Sequence, residues 1–568
     1  MKPLDIWALI LFSLVVFLIG LSFLKSGKDI KSFFAAGGAV PWWINGLSLF
    51  MSFFSAGTFV VWGSIAYSEG WVSVMIQWTM AIAGLLIGFF IAPRWRKTGA
   101  VTAAEYISRR LGNQTQKIYT YLFLLIAMFT TGAFLYPVAK IVQVSTGFPL
   151  VPCILILGGA ITLYTAAGGL WAVIVTDVLQ FIVLTAAVII VIPLSFQAVN
   201  GVGKFVQEAP EDFFRLFSEQ YSPGFMIAFG LYNLVFIGGN WAYVQRYTSV
   251  SRPREAKKVG WLFGSLYLIS PIVWMLPPMI YRVLNPGLEG FSDEGAYLMM
   301  CKAVLPGGML GLMLGGMVFA TSSSVNTTLN ISAGVFTNDL YRTFFPNSTD
   351  QNNMLVARLS TLVFGALTIV VALLVPQLGG IVEVVLTVAA LTGGALYLPP
   401  IWSLFSPRQT GASILTATLV SLAINVLFKF WGDALLGFTL SRAAEMALGV
   451  GIPLLVLAAF EVYFTIRKQT DIRFQTVFHR SNSDEPSKET EDEESQANLH
   501  GMRVIAFGIL AVATLIIGLG LLADFGQMLV TTIGLVVLIL GAALLIRTNR
   551  IKKLQSDKST LYDSRKVH

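Results

Sequence analysis

Between Ala320 and Thr328 the chain reads Ala-Thr-Ser-Ser-Ser-Val-Asn-Thr-Thr, and seven of these nine residues carry a side-chain hydroxyl or amide while none ionises. The segment around them, about Met309 to Leu340, is long enough to cross a membrane. Hydrocarbon cannot satisfy such groups, so they must face protein, water or an ion. Neutral oxygens without Cys or His suit a hard, weakly held cation such as Na⁺ better than a transition metal. Small hydroxylated residues also let helices approach and bond across their interface, so packing is the competing reading.

Three further places interrupt apolar runs with polar chemistry. From Ser48 to Thr58, Ser, Gly and Thr break a span, and a helix broken at membrane depth frees carbonyls that can coordinate a cation. After Gly168-Gly169, Asp177 lies two turns into the next span. A carboxylate at that depth is expensive and reads as functional, or else as an interfacial partner for a basic loop. The run Asn233 to Trp241 carries two amides and an aromatic and ends at Gln245-Arg246. It suits a polar pocket with a stacking lid, or interhelical hydrogen bonding. Lys140 is a single cation in a span and is expected to snorkel outward. Gln77, Trp78 and Tyr267 are weaker signals of the same kind.

These residues need a membrane scaffold, and the composition supplies one. Hydrophobic residues make up 55% of the 568 and charged residues 12%, with mean hydropathy +0.74, which excludes an ordinary soluble domain. Fifteen apolar runs of spanning length recur between residues 4 and 547. Lys and Arg cluster where an outside N-terminus and a cytoplasmic C-terminus require them, for example Lys25, Lys28, Arg94, Arg96, Arg246 and Arg252. The net charge of +8 is then membrane anchoring, with no nucleic-acid partner implied. Leu4 to Leu24 lacks a preceding basic stretch and a cleavage site, and so counts as a span, not a signal peptide. Only Cys153, Cys301, His479, His500 and His568 could serve a soft-metal or nucleophilic site, and they form no constellation, so no enzyme is expected. From Arg467 to His500 the chain turns polar and acidic, which reads as an unstructured cytoplasmic linker ahead of a two-span tail, 501–568.

Together these segments resemble the sodium/solute symporter family, which includes sodium–glucose, sodium–proline and sodium–sialic acid transporters. The resemblance covers roughly residues 4–466. It is carried by Tyr164 to Gln180, by Ala320 to Tyr341, and by Asn233-Leu234 with Asn240 and Gln245-Arg246. It implies an all-α polytopic membrane protein with a leucine-transporter-like core of two inverted five-helix repeats, about 40–197 and 224–404. An extra helix at 1–39 and helices at 405–466 flank that core, and ion and solute bind near unwound helices. The shared sodium site would use the carbonyls of Met51, Phe54 and Ala320 and the hydroxyls of Ser323 and Ser324. A second sodium would use Asp177, Ser323, Asn326 and Thr327, although Asn326 stands where relatives place a hydroxyl.

Solute contacts would come from Ser55, Thr58, Gln77, Asn233, Phe236 and Tyr267. Gly57, Thr58, Gln77 and Tyr267 replace the sugar branch's polar ligands, and Phe53 replaces the proline branch's acid. The implied function is sodium-coupled import of a small polar organic solute across the plasma (inner) membrane by alternating access. The alternatives are a transporter-derived sensor, suggested by the linker and tail, and proton coupling through Asp177.

Overall fold

In hydrocarbon each segment must satisfy its own backbone, so apolar runs become helices. The computed structural model describes the backbone of residues 1–22, 40–100, 102–165, 170–288, 290–438, 440–480 and 488–566. Side chains at 20–22, 164–175, 290–291, 323, 330, 338–339, 343, 350, 354, 433, 436, 479–498 and 554–566 lie outside the description. The described residues form helices and turns.

Helix α1 (Pro3–Ser22) precedes α2 (Trp42–Met51), which is interrupted before a π-helical turn at Thr58–Trp62 leads into α3 (Gly63–Glu69). Helices α4 (Val72–Leu86), α5 (Asn113–Thr146), α6 (Leu150–Thr165) and α7 (Leu170–Ala198) follow. A second interruption separates α8 (Pro223–Gly239) from α9 (Trp241–Thr248), which bends away by 60°. Asn240 makes that corner. It adopts an extended conformation, φ −63° and ψ 130°, and its Oδ1 accepts from the Ala242 N–H at 3.0 Å, capping α9. Then come α10 (Pro253–Trp274), α11 (Leu276–Leu284), α12 (Met309–Val335), α13 (Asp350–Leu374), α14 (Gly380–Phe405), α15 (Gly411–Leu436) and α16 (Arg442–Ile466).

Eleven helices among the described residues are long and apolar enough to cross a membrane, or twelve if α8 and α9 form one span. Shorter apolar helices at Pro3–Ile19 and Leu150–Leu163, and the broken α2–α3 stretch, account for the difference from the fifteen apolar runs. Helix α12, which carries the hydroxyl-rich sequence, is the most enclosed, with 82% of its apolar window buried. It packs against α1, α5, α7 and α13, while α2 lies between α7 and α10.

The start of α12 is pinned by α1. Asp5 is buried, and its Oδ1 accepts from the Gly308 N–H at 2.7 Å while Oδ2 accepts from the Lys2 N–H at 2.7 Å. A carboxylate there also complements the helix dipole. At Gly311 a Cβ would overlap the Asp5 carbonyl, so this close approach requires glycine.

The expected linker, Arg467 to His500, is corrected in part. Pro407 O accepts from the Asp471 N–H at 2.8 Å, and Arg110, fully buried, pairs with Asp471 at 3.0 Å. Helix α17 (Ile472–Arg480) lies against Ala103–Leu111, with Phe474 beneath the Arg110 guanidinium at 5.4 Å. Residues 488–500 begin helix α18 (Lys488–Leu521), and α19 (Gln527–Lys566) completes the tail hairpin. The acidic run reads as unstructured by composition, yet it forms the first turns of a helix whose dipole favours negative charge there. Residues 481–487 lie outside the described residues. The hairpin packs on α7 and α1, and a Cβ at Gly508 would stand 2.6 Å from Leu179.

Gly311→Ala is expected to lower the melting temperature of the detergent-solubilised protein, with the cost of about 1–3 kcal/mol usual for overpacking. Gly159→Ala, whose Cβ would meet open space, should melt like the parent.

Candidate functional site

The ladder of α2 ends because Ser, Gly and Thr replace the apolar residues that would continue it. Phe50 O accepts from the Phe54 N–H at 2.9 Å, Phe53 O accepts from the Ser55 N–H at 3.1 Å, and Ser55 O accepts from the Thr58 N–H at 3.0 Å, a series of turns in place of regular helix. Side chains take up part of the slack. Thr58 Oγ1 donates to the Phe53 carbonyl and accepts from the Ser55 N–H, and Ser55 Oγ accepts from the Gly57 N–H at 3.3 Å. The Ala56 N–H donates to Thr321 Oγ1 at 2.8 Å, which joins the break to the hydroxyl-rich stretch of α12 beside Ala320. Phe54 stacks face to face on Trp274 of α10, with centroids 3.4 Å apart.

Two cavities flank this junction. The smaller, about 40 Å³, is lined by Asp177, Ser324, Thr327, Thr328, Asn240 and Arg246 among others. Asp177 is 2% exposed and accepts a hydrogen bond from Ser48 Oγ at 2.6 Å. Arg246, equally buried, lies within electrostatic reach of Asp177, and its Nη1 donates to Ala242 O at 2.9 Å. The larger cavity, about 130 Å³, is lined by Ser55, Thr58, Asn233 and Phe236 with a mostly aromatic and aliphatic wall. Phe53, Phe236 and Tyr243 stand where the two adjoin, with ring centroids 4.7–6.2 Å apart.

The residues singled out from the sequence therefore divide. Asp177, Ser324 and Thr327 meet in the smaller cavity, and Ser55, Thr58, Asn233 and Phe236 in the larger. Met51, Phe54 and Ala320 are buried at the junction between α2 and α12, and Asn326 is buried but lines neither cavity. The Ser323 side chain lies outside the described residues. Gln77 and Tyr267 line neither cavity. Gln77 donates to Ser73 O at 3.2 Å, and Tyr267 packs on Phe50 and Phe263.

Sequence reasoning missed two participants. Arg246 was counted among the loop cations, and only its nearness to Asn240 hinted at burial. Ser48, four residues before Ser52 on α2, gave no signal of its bond to Asp177.

Lys140 does not snorkel. Its Nζ lies 3.9 Å from Glu294 Oε2, and that carboxylate also accepts from Tyr136 OH at 2.9 Å and from the Ile381 N–H at 3.2 Å. Burial pushes the Asp293 and Glu294 carboxyls upward, opposed at Glu294 by the Ile381 N–H and Lys140. Thus Glu294 is a buried structural acid apart from both cavities.

Comparison with known proteins bears on the family and the fold. The sodium/glucose cotransporter of Vibrio parahaemolyticus is 28% identical over 440 residues, covering 71% of this chain and 80% of the relative. Sodium/myo-inositol cotransporter 2 of Oryctolagus cuniculus is 28% identical over 484 residues, covering 77% and 70%. Sodium/glucose cotransporter 1 of Ovis aries is 25% identical over 520 residues, covering 81% and 76%. The fold is shared with a substrate-bound, outward-open Na⁺-coupled sialic acid symporter: TM-score 0.69, 22% identity, 82% of this chain and 98% of that one. It is shared as well with Mhp1, a nucleobase-cation-symport-1 family transporter in a closed conformation: TM-score 0.54, 16% identity, 80% and 98%. The profile of the sodium:solute symporter family matches residues 33–420, more than half of the sequence. With an unwound first core helix bonded to a hydroxyl-rich partner, and transporters rather than enzymes as relatives, the chain belongs to the sodium:solute symporter family.

Proposed function

We propose that this protein imports a small polar organic solute with Na⁺ by alternating access. The observation that carries the reading is the hydrogen bond from the Ala56 N–H to Thr321 Oγ1, which brings the unwound backbone of one helix against the neutral oxygens of another. Carbonyls of Met51, Phe54 and Ala320 and hydroxyls of Ser323 and Ser324 hold the first sodium. Five uncharged oxygens bind weakly enough to release the ion inward, and one charge crossing the field supplies about 2.3 kcal/mol per 100 mV. The larger cavity takes the solute, contacted by Ser55, Thr58, Asn233 and Phe236. The rings of Phe53, Phe236 and Tyr243 close it from the smaller cavity until the bundle rocks.

Two helix interruptions, after Met51 and at Asn240, each in the first helix of its half, support inverted repeats at about 40–197 and 224–404. We place fifteen crossings in the inner membrane with the N-terminus outside and the C-terminus cytoplasmic, since the Lys and Arg residues then fall inside. Asp177, with Asn326 and Thr327, is the place for a second sodium. Arg246 already balances the carboxylate there, so that ion binds more weakly than the first.

Melting in NaCl and in choline chloride at equal ionic strength measures the first site. Stability should rise with sodium concentration as RT ln(1 + [L]/Kd). Ser324→Ala should fold and insert normally but require several-fold more sodium for half-maximal stabilisation. Coincident parent curves in the two salts would sink the assignment.

Asp177→Asn separates the roles of the carboxylate. It should leave the buried Arg246 without its neighbouring negative charge and so lower the melting temperature. Asp177→Asn combined with Arg246→Gln should recover much of that loss. If sodium also binds at Asp177, the Hill coefficient for sodium-driven uptake by the double variant falls to one; an unchanged coefficient excludes that second ion.

A further inference from the structure

The proposed transport cycle leaves the solute's chemistry open, and the larger cavity constrains it. Among its described lining residues there is no Asp, Glu, Lys, Arg or His. Asp177 and Arg246 line the other compartment, which shares Phe236 and Tyr243 with this one. A carboxylate or ammonium entering here would lose its hydration with no lining side chain of opposite charge to meet it.

The wall is instead built from rings. Phe229, Tyr232 and Phe236 recur along one face of α8 and stack on one another at 5.2–5.4 Å with interplanar angles of 15–24°. Phe53, Trp62, Phe134 and Tyr243 complete the aromatic lining. Such surfaces favour a flat apolar partner.

Four of the hydroxyls on the wall have spent their hydrogens. Ser52 Oγ donates to Ser48 O at 3.0 Å, Thr130 Oγ1 to Ile126 O at 3.1 Å, Thr392 Oγ1 to Val388 O at 2.7 Å, and Thr58 Oγ1 to the Phe53 carbonyl. Asn233 Nδ2 is held by Thr79 Oγ1 at 3.0 Å. What Ser52, Thr58, Thr130 and Thr392 retain is lone pairs, whereas Asn233 keeps a second N–H and Ser55 Oγ, which accepts from the Gly57 N–H, keeps its O–H. Most of the remaining wall is ring and aliphatic carbon, so a hexose, with a donor and acceptor at each of its hydroxyls, would leave several of them unsatisfied there.

Resting on the symporter reading, we propose that the solute is an uncharged molecule built on a flat ring and carrying few hydrogen-bonding groups. It is not a polyol, an amino acid or a carboxylate. The ring lies against Phe236 and Trp62, and its hydrogen-bonding groups meet Ser52, Thr130, Thr392 or Asn233.

The test uses the purified full-length protein in detergent with seven probes in NaCl and in choline chloride. Thymine, indole and benzamide are neutral rings with N–H donors, glucose and myo-inositol are polyols, and proline and benzoate carry charge. Melting temperature and tryptophan fluorescence are read together. At least one neutral ring should stabilise the protein in a sodium-dependent way, with benzoate inert where benzamide binds. Phe236→Ala should weaken that probe about tenfold while keeping the sodium response without solute. Stabilisation by glucose, myo-inositol, proline or benzoate, or by none of the three neutral rings, would overturn the proposal. The sodium response of the solute-free protein is scored separately, so failure of ion coupling is distinguishable from failure of the solute class.

Discussion

A helix that stops inside a membrane leaves backbone groups that lipid cannot satisfy, and the core of this protein is organised around that constraint at residues 52–57. The Ala56 N–H reaches out of its own chain segment to Thr321 Oγ1, which in turn donates to Met317 O at 3.0 Å within α12. Thr58 and Ser55 answer other groups locally. Small hydroxylated residues are thus needed on both sides of the junction for structural reasons before any ion is considered. The packing and ion-binding readings of the α12 sequence are therefore not rivals. Thr321, whose hydroxyl accepts from the Ala56 N–H, meets the first need, while Ser324 and Thr327 face a cavity.

Buried charge follows a similar economy. Asp177 has Ser48 and Arg246, Glu294 has Tyr136, Lys140 and the Ile381 N–H, and Arg110 has Asp471 with the Ser406 and Gln409 carbonyls. Each group is bought out of water by partners distant in sequence, and removal of one member leaves the other stranded. The Arg110 cluster also explains why residues after Arg467 stay with the body.

Much of the fold was legible because hydropathy marks spans and because Gly, Ser and Thr mark the first interruption, whereas the corner at Asn240 lies inside an apolar run that reads as one continuous span. The α12 motif and Asp177 stood out because polar groups are rare at that depth. What could not be read was rotation about each helix axis. In a bundle enclosed by lipid, apolar residues occupy every face, so periodicity does not tell cavity from packing surface. Gln77 and Tyr267 look like solute ligands by position but are turned into helix contacts, with Gln77 Oε1 and Tyr267 OH unpartnered among the described residues. Arg246 and Lys140 were misjudged for a related reason: counting cations along the chain treats each as a surface anchor, and only the tertiary pairing reveals which are enclosed.

The stack of Phe54 on Trp274 has a mechanical consequence. It bolts the interrupted segment to α10 by a broad apolar contact that water does not readily replace, whereas among the described residues the hydrogen bond seen to tie it to α12 is that from the Ala56 N–H to Thr321. Any relative displacement of these helices will part the weaker joint first. The segment 52–57 then behaves as a passenger of α10, and an oxygen at Thr321 released by that separation becomes available to whatever enters the gap.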